Sequence, residues 1–233
     1  MSELHQKVSD AYLAERFAQA STVEATLDAG GLLFGWKRGR AGRFTGLRVV
    51  ADIAEQRIRF RDFHDGRDGL LAGHDVWLEP VDGTPDVRRD ARSRFPYRGR
   101  LLRWDELDMM YFLGYALWNY FTFPALLHRP GVDWTQSGDH ELTAVFPADL
   151  ATHCREQRFR FDPSTSFVVE HDYTAEVFGS SWAHACHLTQ DYQVSDGFPF
   201  ASRRRVHPSH PVKGGAMKTP LLIWADVHEF KVG

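Results

Sequence analysis

The chain has 233 residues, 43% hydrophobic, 13% aromatic and 25% charged, with a formal net charge of −3. A chain of this length buries roughly 70% of its unfolded surface, and its aromatic richness excludes a disordered chain, a collagen and a coiled coil. Two cysteines, Cys154 and Cys186, exclude a disulfide framework and a cysteine-rich zinc site.

Met1 to Ala20 carries Glu3, Lys7, Asp10, Glu15 and Arg16 along its length, which an apolar signal core does not tolerate, so a cytoplasmic protein is expected. Leu4, Val8, Tyr12 and Phe17 recur at helical spacing behind Ser2, which predicts an amphipathic N-terminal helix within residues 1–28. Short strands are expected at Leu32 to Trp36, Gly46 to Ile53, Arg57 to Phe63 and His74 to Val81, separated by glycine-marked turns. Residues 82–103 lose periodicity and carry Pro85, Pro96 and seven arginines, the composition of a lid loop.

A central buried helix is expected over residues 104–123. Met109 to Leu127 holds no charge, yet its tyrosines, Trp118, Asn119 and Pro124 mark a buried helix rather than a membrane span. Asp105 is placed to cap it, with Asp108 favouring the positive end of the dipole. Strands follow at Glu141 to Phe146, Glu156 to Phe161, Ser166 to Phe178, Ala183 to Val194, Phe200 to His207 and Leu221 to Phe230, joined as an antiparallel meander. The expectation is a single mainly β (α+β) domain over 1–233. In it, a strongly curved antiparallel sheet or half-open barrel wraps one buried apolar helix, because a helix apolar on all sides must be covered on all sides.

The order of strands, long loop, buried helix and meander, with His171-Asp172-Tyr173, His184, Asp191-Tyr192 and Arg203-Arg204-Arg205-Val206, resembles a group of uncharacterised bacterial proteins. Their architecture is similar to the lipoprotein-sorting carriers, in which a half-open barrel closes over a helix and holds acyl chains. The resemblance covers about residues 44–233 and implies a cavity for a hydrophobic ligand.

Candidate chemistry concentrates on two strands. Alternation places Phe167, Val169, His171, Tyr173, Ala175 and Val177 on one face, an apolar stripe with an imidazole and a phenol in its middle. Such groups are either satisfied core residues or line a cavity. On the next strand, the face with His184, Cys186 and Tyr192 would join them if turned inward. His184 and His187 diverge on a strand, so no metal site is expected. Arg203 and Arg205 share a face and either hold a carboxylate or enolate, or pair with Glu170, Asp172 or Asp191. Tyr111, Tyr115, Trp118 and Tyr120 are read as core packing or as an aromatic substrate-binding wall.

No P-loop and no G-x-S-x-G elbow occurs, and the basic loop Lys37, Arg38, Arg40, Arg43 is not followed by a nucleic-acid module, so no nucleic-acid partner is expected. The leading functional expectation is a cofactor-independent cyclase, isomerase or lyase of secondary metabolism. Its substrate would be a hydrophobic small molecule bearing a carboxylate or enol. His171 and His184 would move protons, Tyr173 would donate to an oxyanion, and Arg203 or Arg205 would anchor the acid. The alternatives are a non-catalytic cytoplasmic carrier of a lipid-like ligand, and a partner-binding module using the arginine-rich loop. A cavity of several hundred Å³ touching both His171 and Tyr173 would favour the first two, and the sealing of both by side chains would favour the third.

Overall fold

The computed structural model describes residues 1–38, 42–95, 103–179, 182–210 and 214–233. The N-terminal part comprises α1 (Glu3–Ala11), α2 (Ala14–Phe17), β1 (Thr22–Gly30), α3 (Leu32–Arg38), β2 (Phe44–Asp52), β3 (Arg57–His64), β4 (Arg67–Ala72), β5 (Asp75–Leu78) and β6 (Asp86–Arg88). The helices α4 (Glu106–Phe121) and α5 (Phe123–Leu126) follow. The C-terminal part is β7 (Asp133–Gly138), β8 (Glu141–Val145), β9 (Glu156–Phe161), β10 (Val168–Thr174), β11 (His184–Ser195), β12 (Phe198–Pro208) and β13 (Ile223–Val232).

These strands form one antiparallel sheet of order β6-β5-β4-β3-β2-β1-β13-β12-β11-β10-β9-β8-β7 among the described residues. The first half runs outward from β1 at the centre to β6 at one edge, and the second runs inward from β7 at the other edge to β13, which pairs with β1. The chain therefore leaves at one edge and re-enters at the opposite one, and α4 with α5 supplies the crossing. Among the described residues the edges β6 and β7 do not pair with each other, so the barrel is half open.

The covering predicted for an all-round apolar helix is observed. Every residue of α4 from Asp108 to Asn119 is buried, and the helix packs on β3, β4 and β5. Its start is fixed by a capping box: the Asp105 carboxylate accepts from the Asp108 backbone N–H at 2.9 Å, and the Asp108 carboxylate accepts from the Asp105 N–H. Arg88 on β6 bridges both carboxylates at 2.7 Å, tying the helix to the sheet edge. At Gly114 an added Cβ would lie 2.8 Å from Leu71 Cδ1, and at Gly69 one would lie 2.7 Å from Met110 Cε. The two glycines let α4 and β4 approach closely. No helix among the described residues is long and apolar enough to cross a membrane.

The structure departs from the sequence expectation in several places. Within 1–28 the helices end at Phe17, and Thr22–Gly30 is a strand that turns Val23, Ala25, Leu27 and Ala29 inward. Leu32 to Trp36 belongs to a helix, because a short apolar run carries no period that separates helix from strand. The short strand β4 and the polar strand β7 were not expected. Residues 82–95 do not form a free lid: β6 pairs with β5, a 3₁₀ turn spans Ala91–Arg94, and Ala91 and Phe95 are buried. Arg92 donates to the carbonyls of Thr152 and His153 and pairs with Glu176 at 2.6 Å. Residues 96–102 of the expected lid lie outside the described residues.

Candidate functional site

The concave face of β9 to β13, roofed by the end of α4, gathers an unusual set of polar side chains in an apolar interior. On β10 the predicted parity holds where it matters: His171 and Tyr173 are buried and face inward. An irregularity between Val168 and Glu170 turns Val168 inward instead of Val169.

The hairpin register decides the rest. His171 stands opposite His187, and Tyr173 opposite Ala185, so the inner residues of β11 are Ala185, His187 and Thr189. His184 lies opposite Thr174, is exposed, and its Nδ1 is 2.9 Å from Thr174 Oγ1. Cys186 faces the outer side with Asp172, and its thiol donates to Glu170 at 3.0 Å. Left-handed backbone at Asp191 (φ 53°) then breaks the alternation and brings Tyr192 inward, where its ring stacks on Phe167 at 4.5 Å.

The same register corrects the arginine assignment. Arg204 lies opposite the inward Thr189, while Arg203 and Arg205 point out and pair with Asp191 at 3.6 Å and Asp226 at 2.7 Å. Neither Arg203 nor Arg205 can anchor a ligand inside. The expected aromatic wall also moves. Trp118 donates to the carbonyls of Asp52 and Glu55, Tyr111 bonds His74 at 2.8 Å, and Tyr115 packs on His153. Of that wall Tyr120 does line the interior, beside Tyr192 and Tyr12, the last of which was read only as part of the N-terminal helix. His187, Thr189, Gln157 and Arg204 were missed as well.

Hydrogen bonds order much of this cluster. The Gln157 side-chain oxygen accepts from His171 Nε2 at 2.6 Å, and Gln157 donates to the Cys154 carbonyl at 2.8 Å. The Tyr120 hydroxyl lies 2.7 Å from His153 Nε2 and 3.2 Å from the Tyr173 hydroxyl, with the His153 and Tyr173 rings stacked at 3.8 Å. The Tyr12 and Tyr192 hydroxyls meet at 2.6 Å. Desolvation, reinforced by the Arg204 charge, pushes the His171 pKa down to about 3, and burial drives His153 and His187 well below the ordinary histidine range. Burial also pushes the Tyr120 and Tyr173 phenols above their usual range. His171 is thus a hydrogen-bonded neutral ring too weakly basic for proton abstraction near neutral pH.

Two small apolar cavities meet at Tyr120, His187 and Arg204. One, of about 40 Å³, runs toward Phe121, Phe200 and Phe230; the other, of about 30 Å³, runs toward Phe34, Phe112 and Leu117. A third, of about 150 Å³, lies at the strand ends, bordered by Tyr173, His184, Phe178 and Trp182. On the outer face, Glu170, Asp172 and Cys186 bring potential metal ligands within 4.8 Å of one another.

No protein-family model matches the chain, and no curated protein matches it by sequence. Solved structures do match its shape. A LolA superfamily protein from Nitrosomonas europaea superposes with a TM-score of 0.53 at 13% identity, over 98% of this chain and 93% of the other. A DUF1329 family protein from Desulfovibrio piger gives 0.54 at 11% identity, over 99% and 94%. A domain assigned to outer membrane lipoprotein sorting from Vibrio parahaemolyticus gives 0.50 at 9% identity, over 99% and 93%. The cyclase or isomerase expectation is overturned: the chain's fold is that of these neighbours, His184 is exposed, and Arg203 and Arg205 turn outward. The chain shares the half-open, strongly curved antiparallel fold of the LolA-like lipoprotein-sorting proteins.

Proposed function

We propose that this protein is a non-catalytic carrier that binds a hydrophobic ligand between α4 and the concave face of β9 to β13. The observation that carries the reading is the pair of apolar cavities flanking Tyr120, His187 and Arg204 inside a half-open barrel. The fold likeness to a domain assigned to lipoprotein sorting supports it. At about 40 and 30 Å³ the cavities fall short of the several hundred Å³ expected and admit only water-sized groups, so an alkyl chain must displace side chains and join them. Each buried methylene contributes about 0.8 kcal/mol, so a twelve-carbon chain gains on the order of 9 kcal/mol against that rearrangement.

Titration with Nile red, a neutral apolar dye, tests the reading. Saturable one-to-one binding with displacement by dodecanol is expected. Ala201→Leu, which fills the larger cavity from a position 1% exposed, should weaken dye binding by about tenfold or more. Absence of saturable binding, or binding indifferent to Ala201→Leu, would contradict it.

A further inference from the structure

Within the carrier reading, on which this inference rests, we propose that the ligand bears an anionic group, received by Arg204 and His187 at the junction of the two cavities.

Three consecutive arginines on β12 alternate out, in, out, and the two outer ones have carboxylate partners. The inner one has none: no carboxylate lies within ion-pairing distance of Arg204 among the described residues. Its guanidinium carbon sits 5.1 Å from the Tyr120 ring centroid and 6.0 Å from that of Phe121, and its Nε is buried without a hydrogen-bond partner. The residue is only 8% exposed. A buried charge without a counter-charge is costly, and its neighbours here are rings and hydroxyls that do not neutralise it.

His187 supplies the second observation. Its ring lies 4.5 Å from the Tyr120 ring, it is 1% exposed, and neither ring nitrogen has a hydrogen-bond partner. A neutral imidazole still presents one N–H donor. Arg204 and His187 therefore leave unmet donors beside the same phenol, each bordering both cavities. Buried orphan donors of this kind indicate a missing acceptor. A carboxylate or phosphate fits the planar fork of a guanidinium, and binding it would neutralise the buried charge. The apolar remainder of the ligand would extend toward Phe200 and Phe230, toward Phe112 and Leu117, or both ways. The shared chemistry is an alkyl amphiphile with an anionic group.

Nile red displacement and thermal shift would be followed for dodecanoate, dodecyl phosphate and dodecanol below their micellar concentrations, with inorganic phosphate as control. The wild type is expected to bind at least one alkyl anion about tenfold or more tightly than dodecanol, and the tighter anion identifies the headgroup. Arg204→Met should erase that preference, bringing the ratio near one, and should melt no earlier than the wild type because a buried charge is removed. His187→Leu, a second variant with the charge intact, should reduce the preference in part. Equal affinity for the anions and dodecanol, a preference that survives Arg204→Met, or stabilisation by inorganic phosphate equal to that by dodecyl phosphate would overturn the proposal. If dodecanol binds without any anion preference, only the anion proposal fails; if no alkyl compound binds, the carrier reading itself fails.

Discussion

Replacing Trp118 with alanine is expected to destabilise the fold by about 3–5 kcal/mol, the range for deleting a large aromatic side chain from a packed core. Trp118 is fully buried on a helix that has no solvent face. Its indole N–H donates to the Asp52 carbonyl at 2.6 Å and the Glu55 carbonyl at 3.1 Å, fastening α4 to the turn between β2 and β3. The Arg129 guanidinium packs 5.3 Å from its ring centroid. Alanine would remove the ring, both hydrogen bonds and the surface that covers Arg129 at once. Urea unfolding should show the loss, with a melting point lower by roughly 6–20 °C for a chain of this size. Trp118→Phe should cost less, since it keeps most of the apolar area. A shift below about 2 °C for the alanine variant would mean that α4 is peripheral to the fold.

Acid is expected to unfold the protein early. His153, His171 and His187 are buried and held neutral, with the His171 pKa at about 3. In the unfolded chain the same rings titrate near 6.5. Between those values the unfolded state binds protons that the folded state refuses, so stability rises with pH across the window. For His171 that stability is fully present above about pH 6.5 and is lost as pH falls toward 3, at about 1.4 kcal/mol per pH unit. By pH 5 the His171 ring alone withdraws about 2 kcal/mol, a sizeable part of the roughly 5–15 kcal/mol of an ordinary domain, and His153 and His187 act in the same direction. Urea midpoints measured at pH 7, 6 and 5 should fall steeply. His187→Leu should flatten the slope and raise stability at acid pH, since neither nitrogen of that ring has a partner to lose among the described residues. Midpoints unchanged from pH 7 to 5 would refute neutral burial of these rings.

Much of the architecture was legible because it follows from local pattern. The capping pair Asp105 and Asp108, the uncharged run after it and the alternation of β9 over Glu156–Phe161 each specify an element without outside help. β1 was hidden because its outward Glu24 and Asp28 mask an alternation of small apolar residues. The site was legible only in part. His171 and Tyr173 lie on one strand, so period two sufficed. Pairing β11 against them required the register across residues 175–183, a connection too long for turn chemistry to set. One residue of slip exchanges His184 for His187 and moves every inner side chain of β11 to the other face. The arginine triplet inherits the same problem, since Arg204 turns inward only through its pairing with Thr189. The left-handed residue Asp191, which returns Tyr192 to the interior, carries no signal that alternation can read.

The central claim, that an apolar ligand enters between α4 and the concave sheet, is tested most directly by locating a heavy atom on the ligand. Crystals grown with 12-bromododecanoate, measured at the bromine edge, would place the far end of the chain. An anomalous peak is expected in contact, within about 4.5 Å, with Phe121, Phe200 or Phe230, or with Phe112 or Leu117 across the Arg204 junction. A peak on the outer face beside Glu170 and Cys186, or a saturated protein with no bromine inside the barrel, would contradict it.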